Sequence, residues 1–163
     1  MCSRWMFILC SMVIVLPVHG QTSDETKIKL AAVAQSVLSS GIFQLKEERK
    51  EPAVNSYVNV PLKKLKHLVS PYNDWRYWNG VLNIAMMDLG RVMENSAYVD
   101  FAKRNIAFGF EVAPEFEKDY NGEGKWNYPF GQFFLMEELD DCGAMGASVI
   151  EAYRISPTPS YKT

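Results

Sequence analysis

Four stretches of the chain repeat apolar residues at helical spacing. Ile28, Ala31, Ala32, Gln35 and Leu38 form the first, behind Asp24 and Glu25, whose acidic side chains suit a helix start. Leu82, Ala85, Met86, Leu89 and Met93 form the clearest, with Gly90 the one weak helix former inside it. Val99, Ala102, Ile106 and Phe110 form the third. Pro114 is expected to end it, because proline lacks the amide that a helix interior needs. Cys142, Met145, Gly146, Val149, Ala152 and Tyr153 form the fourth, closed by Pro157 and Pro159. The pattern predicts an all-α chain of four helices joined by long connections.

A further apolar run, Trp5 to Leu16, has a different meaning. Arg4 precedes it and Pro17-Val18-His19-Gly20 follow, so residues 1–20 read as a secretory leader with a small residue at the cut. A membrane helix wants ~20 apolar residues, more than this run provides. The mature chain, 21–163, is then expected to be exported, periplasmic or extracellular, with no membrane span.

The connections between the helices are long. Residues 47–72 hold Pro52, Pro61 and Pro71, with Val54, Val58 and Val60 alternating with polar residues, and suggest an extended excursion. Residues 113–139 hold Asn121-Gly122-Glu123-Gly124 and then Trp126, Tyr128, Phe130, Phe133 and Phe134. Such a segment suits a binding wall or a loop packed over the core with its own aromatics.

Length and composition narrow the function. At about 150 residues per domain, 163 residues make one domain. A 48% hydrophobic content with 22% charged residues marks a globular chain. The net charge of −2 excludes nucleic acid as the main partner, since phosphate recognition needs clustered Lys and Arg. Loss of the leader removes Cys2, Cys10 and His19. Cys142 and His67 then stand alone, which leaves no internal disulfide, no His-based nucleophile relay and no multi-histidine metal site. His67 falls in a short amphipathic stretch and is expected at the surface. No metal and no cofactor is expected.

Two constellations carry candidate chemistry. Asn73-Asp74-Trp75-Arg76-Tyr77-Trp78-Asn79-Gly80-Val81 precedes the clearest stripe. Aromatic faces stack on the apolar faces of sugars while Tyr, Asn and Arg bond hydroxyl and carboxylate edges, so Trp75, Tyr77 and Trp78 are candidate substrate contacts. Core burial of either tryptophan is the competing reading. The second constellation runs Glu137-Glu138-Leu139-Asp140-Asp141-Cys142-Gly143, followed by Ala144, Gly146, Ala147 and Ser148. Successive helix positions differ by about 100°, so Asp140 and Asp141 cannot both face one cavity. Asp141 is expected beside Ala144, Met145 and Ser148, a face with room for a ligand, and Asp140 is expected to cap the helix.

These two places resemble the unsaturated uronyl hydrolases, glycoside hydrolase families 88 and 105. Trp75-Arg76-Tyr77-Trp78-Asn79-Gly80-Val81 is similar to their W-x-Y-x-x-G-V opening of an early helix. Leu139-Asp140-Asp141-Cys142-Gly143 is similar to their L-D and D-x-G spellings, and Tyr161 to the tyrosine that opens their next helix. The resemblance implies an (α/α)₆ toroid of helical hairpins acting on oligosaccharides left by polysaccharide lyases. It implies an aspartic acid, Asp141 or Asp140, that protonates one carbon of the C4=C5 double bond while water adds to its neighbour. The hydrated sugar then rearranges and leaves.

The family pattern also asks for a second aspartate further on and for more hairpins than four or five helices can supply. The chain is therefore expected to be the N-terminal part of such an enzyme, inactive alone and prone to associate through Leu82, Met86, Leu89 and Met93. A second expectation from another class is an exported helical glycan-binding module without catalysis.

Overall fold

The computed structural model describes residues 23–46, 67–120, 122 and 130–162. The leader, most of the excursion (47–66) and the aromatics Trp126 and Tyr128 lie outside the described residues. The described chain is mostly helical, as the apolar spacing predicts. Helix α1 is Ser23–Ser40, α2 Tyr77–Val92, α3 Ser96–Asp119, α4 Gly131–Leu135 and α5 Leu139–Ile155, followed by a 3₁₀ turn at Pro159–Lys162. Strands β1 (Leu45–Lys46) and β2 (His67–Leu68) pair antiparallel, with Leu45 opposite Leu68 and the exposed His67 opposite Lys46.

The buried faces differ from the apolar stripes in instructive ways. In α1 the core residues are Ala34 and Val37, while Ile28 and Ala32 are exposed. Residues 31–34 are all apolar, so spacing alone does not choose a side. In α2 the buried set is Asn79, Gly80, Asn83, Met86, Met87 and Gly90, and Ala85 is exposed. A seam of glycine and asparagine is one that hydropathy cannot see. Leu82, Met86, Leu89 and Met93, expected to lack partners, pack in the first core cluster with Tyr98, Phe101, Ala102 and Ile106. That removes the reason given for association.

Pro114 does not end α3. The helix runs on to Asp119, because Val112, Ala113 and Phe116 on both sides of the proline are buried in a second cluster with Leu45, Trp75, Phe108 and Phe130. Burial of Val112 and Phe116, worth about 1.5–3 kcal/mol each, together with the Ala113 methyl, outweighs the ~3 kcal/mol cost of an interior proline. The second long connection shrinks accordingly, and α4 takes up part of it. Phe130, fully buried against Phe108 and Phe116, and Phe133, edge-on to Trp75 and Phe110, belong to the core rather than to an open binding wall.

Direction matters most for the site. Helices α2 and α3 form an antiparallel hairpin, turned by Met93 to Asn95, and Asn95 Oδ1 accepts from the Ala97 amide to cap α3. Helices α2 and α5 instead run side by side in the same direction. The Tyr77 amide meets Asp141, Gly80 lies against the Ala144 backbone, and Arg91 reaches Glu151 at 3.6 Å. Both helices therefore begin at one end of the molecule.

Candidate functional site

The two sequence constellations come together at that shared end. Arg76 takes extended backbone angles before α2 and offers no capping side chain of its own. The first amides of a helix have no partner within it. Asp141, from the first turn of α5, fills the role: its Oδ1 accepts from the Tyr77 amide at 2.6 Å. Its Oδ2 lies 3.3 Å from Arg76 Nη1, and Arg76 Nε lies 3.3 Å from Asp74 Oδ2. The guanidinium thus bridges two carboxylates from different segments. Asp74 Oδ1 in turn accepts from the amides of Trp75 at 2.8 Å and Phe130 at 2.9 Å. The bond to Phe130 holds a residue in the left-handed backbone region, φ 59°, which a bulky side chain rarely adopts.

Asp140 and Asp141 divide their work in a different way from that expected. Asp141 is 7% exposed, and its face is occupied by α2 rather than open to a ligand. It caps a helix, but a neighbouring one. Asp140 is exposed, and its Oδ1 accepts from the Asp141 amide at 2.9 Å. It does not cap α5, whose N-cap is Glu138. The helix starts earlier because Gln132 Oε1 accepts from the Glu137 and Glu138 amides, at 3.2 and 3.1 Å, and satisfies the chain ahead of the first turn.

The aromatic residues separate as well. Trp75 is buried, its ring filling the space left by the missing side chain of Gly109 and standing edge-on to Phe133 at 4.7 Å. Tyr77 is 49% exposed and Trp78 62% exposed, both in the first turn of α2. Sequence reasoning missed Asp74 and Gln132 as organisers of this end. An aspartate next to a helix start is a turn and capping signal, and that was the legible clue for Asp74. Gln132 carried none.

Cys142 follows the two aspartates and is half-buried, with Sγ 3.7 Å from the Gln132 carbonyl. Burial pushes its thiol pKa up, and the charges of Asp141, Asp140 and Glu138 push it further the same way. The reactive thiolate is therefore scarcer at a given pH than in an unfolded chain. We expect iodoacetamide to alkylate Cys142 more slowly in the folded protein than in urea at pH 8, the difference narrowing as pH rises. Equal rates would place the thiol in open solvent.

Among the described residues no group of three or more His, Cys, Asp or Glu side chains is placed to hold a metal ion, and no helix is long and apolar enough to cross a membrane. No protein-family model, no curated protein and no solved structure matches the chain.

Proposed function

We propose that the chain contributes the sugar-contacting part of an unsaturated uronyl hydrolase, with substrate lying across Tyr77 and Trp78 at the common start of α2 and α5. The single observation behind this reading is that exposed Tyr77 and Trp78, in the first turn of α2, and exposed Asp140, in the first turn of α5, lie on helix starts pinned together by Asp141 and Arg76. The hairpin of α2 with α3, followed by the parallel packing of α2 with α5, is the step by which a ring of helical hairpins extends. That supports the (α/α)₆ architecture as the finer proposal.

In this reading Asp140 faces the sugar and protonates one carbon of the C4=C5 bond, while water adds to the other and the hydrated uronate rearranges to release its neighbour. Asp141 positions it, because the bond to Tyr77 and the Arg76 pair fix the first turn of α5. Trp75 supports the site from within the core. A second reading, glycan binding without chemistry, is favoured by one fact: both oxygens of Asp141 are already engaged.

Tryptophan fluorescence titration with an unsaturated uronyl disaccharide tests the proposal. Trp78→Ala should weaken binding about tenfold, since a stacked ring is worth ~1–1.5 kcal/mol, and should leave the melting temperature unchanged. Binding that is indifferent to Trp78 and Tyr77 would overturn it. If the disaccharide binds and its double-bond absorbance persists even in a longer form of the protein, the binding module is the better description.

A further inference from the structure

Beneath the shared helix end lies a buried cluster of four asparagines. Asn73 belongs to the segment before α2, Asn79 and Asn83 to consecutive turns of α2, and Asn105 to α3; they are 2%, 0%, 0% and 3% exposed. Their amide orientations follow from donor and acceptor logic alone. Asn105 Nδ2 donates to the Tyr72 carbonyl at 2.8 Å, and a carbonyl can only accept, so the opposite atom of Asn105 is its oxygen. That oxygen takes Asn73 Nδ2 at 2.9 Å, and the second proton of Asn105 Nδ2 goes to Asn83 Oδ1 at 2.9 Å. Asn79 Nδ2 gives its protons to the carbonyls of Asp74, at 2.9 Å, and Pro71, at 3.3 Å.

With every amide oriented, three buried atoms have no partner among the described residues: Asn73 Oδ1, Asn79 Oδ1 and Asn83 Nδ2. An unpaired buried polar atom costs about 1–3 kcal/mol, and three in one cluster are too many to be incidental. Two are acceptors and one is a donor. A water molecule offers two protons and two lone pairs, so one water can donate to both oxygens and accept from the nitrogen. We propose that this cluster is a binding site for a single structural water, joining the segment 70–76 to α2 beside the Asn105 amide of α3. Burial excludes a larger ligand, and the all-neutral lining gives no counter-charge for an ion. The water would hold Asp74 and Trp75 in register with α2 through Asn73 and Asn79, at the base of the site but without touching a substrate.

The test is direct observation in the full chain. Nitrogen-15-labelled protein should show cross-peaks from the Asn83 side-chain amide to water, of opposite sign in NOE and ROE experiments, as for a water that tumbles with the protein. A crystal structure at high resolution should place one peak within hydrogen-bond distance of all three atoms. Asn83→Leu removes the only donor and should abolish the long-lived water signal. Should that variant not fold, the wild-type measurements decide the matter. A dry site, or Asn73 Oδ1 and Asn79 Oδ1 each bonded to a protein donor, would overturn the inference.

Discussion

Gly80→Ala is expected to destabilise the protein by about 2 kcal/mol or more, although alanine is the better helix former. A methyl group at Gly80 would stand 2.4 Å from the Ala144 carbonyl carbon and 2.6 Å from both its oxygen and the Met145 nitrogen. These are backbone atoms of α5 and cannot rotate aside. Overpacking of this kind costs roughly 3 kcal/mol, against a gain of ~1 kcal/mol from helix propensity, so the clash wins. Gly146→Ala is the internal control: nothing lies within 4 Å of its added methyl, and only the propensity gain remains. Urea midpoints should therefore move in opposite directions. A stabilised Gly80→Ala would mean that α2 and α5 do not pack backbone to backbone.

Asp141→Ala should cost about 3 kcal/mol, and Asp140→Ala no more than ~0.5 kcal/mol. Losing Asp141 removes the cap of the Tyr77 amide, worth ~1 kcal/mol, and leaves Arg76, only 14% exposed at its side chain, with half of its bridge. Asp74, itself 25% exposed, keeps the other half, which holds the loss below that of a fully isolated buried charge. Thermal or urea unfolding of the two variants reads the contrast. Equal losses would show that neither the Tyr77 cap nor the Arg76 bridge contributes to stability. The same position separates fold from ligand contact: under the proposed function, Asp140→Asn is the change expected to weaken binding of an unsaturated uronyl disaccharide while the protein stays folded.

Much of this architecture was legible because helices advertise themselves by period. The existence and order of the four long helices follow from apolar spacing, and the end of α5 follows from Pro157 and Pro159. What spacing could not give was which side of α2 is buried. The seam there is made by Gly80, Asn79 and Asn83, whose role is close approach and internal hydrogen bonding, and neither property has a hydropathy signature. Pro114 misled for the opposite reason: its local signal is strong, but the burial of Val112, Ala113 and Phe116 is a tertiary effect that overrides it. At the site, the sequence located both segments and their residue types. It could not show that Asp141 reaches across to another helix, because a contact 64 positions away leaves no mark on either segment.

The shared direction of α2 and α5 has an electrostatic consequence. Antiparallel neighbours cancel their peptide dipoles, but parallel neighbours add them, placing roughly half a positive charge at each start and half a negative charge at each finish. The side chains answer this polarity. Asp74, Asp140 and Asp141 gather at the starts, while Arg91 and Arg154 occupy the last turns, both drawn to Glu151 between them. Asp88 and Glu151 raise the Arg91 pKa further, so its guanidinium stays charged at any physiological pH. The pair of helices thus forms one oriented electrostatic element with each end answered by side chains of opposite sign, so reversing the charges at either end would set two aligned dipoles, not one, against the fold.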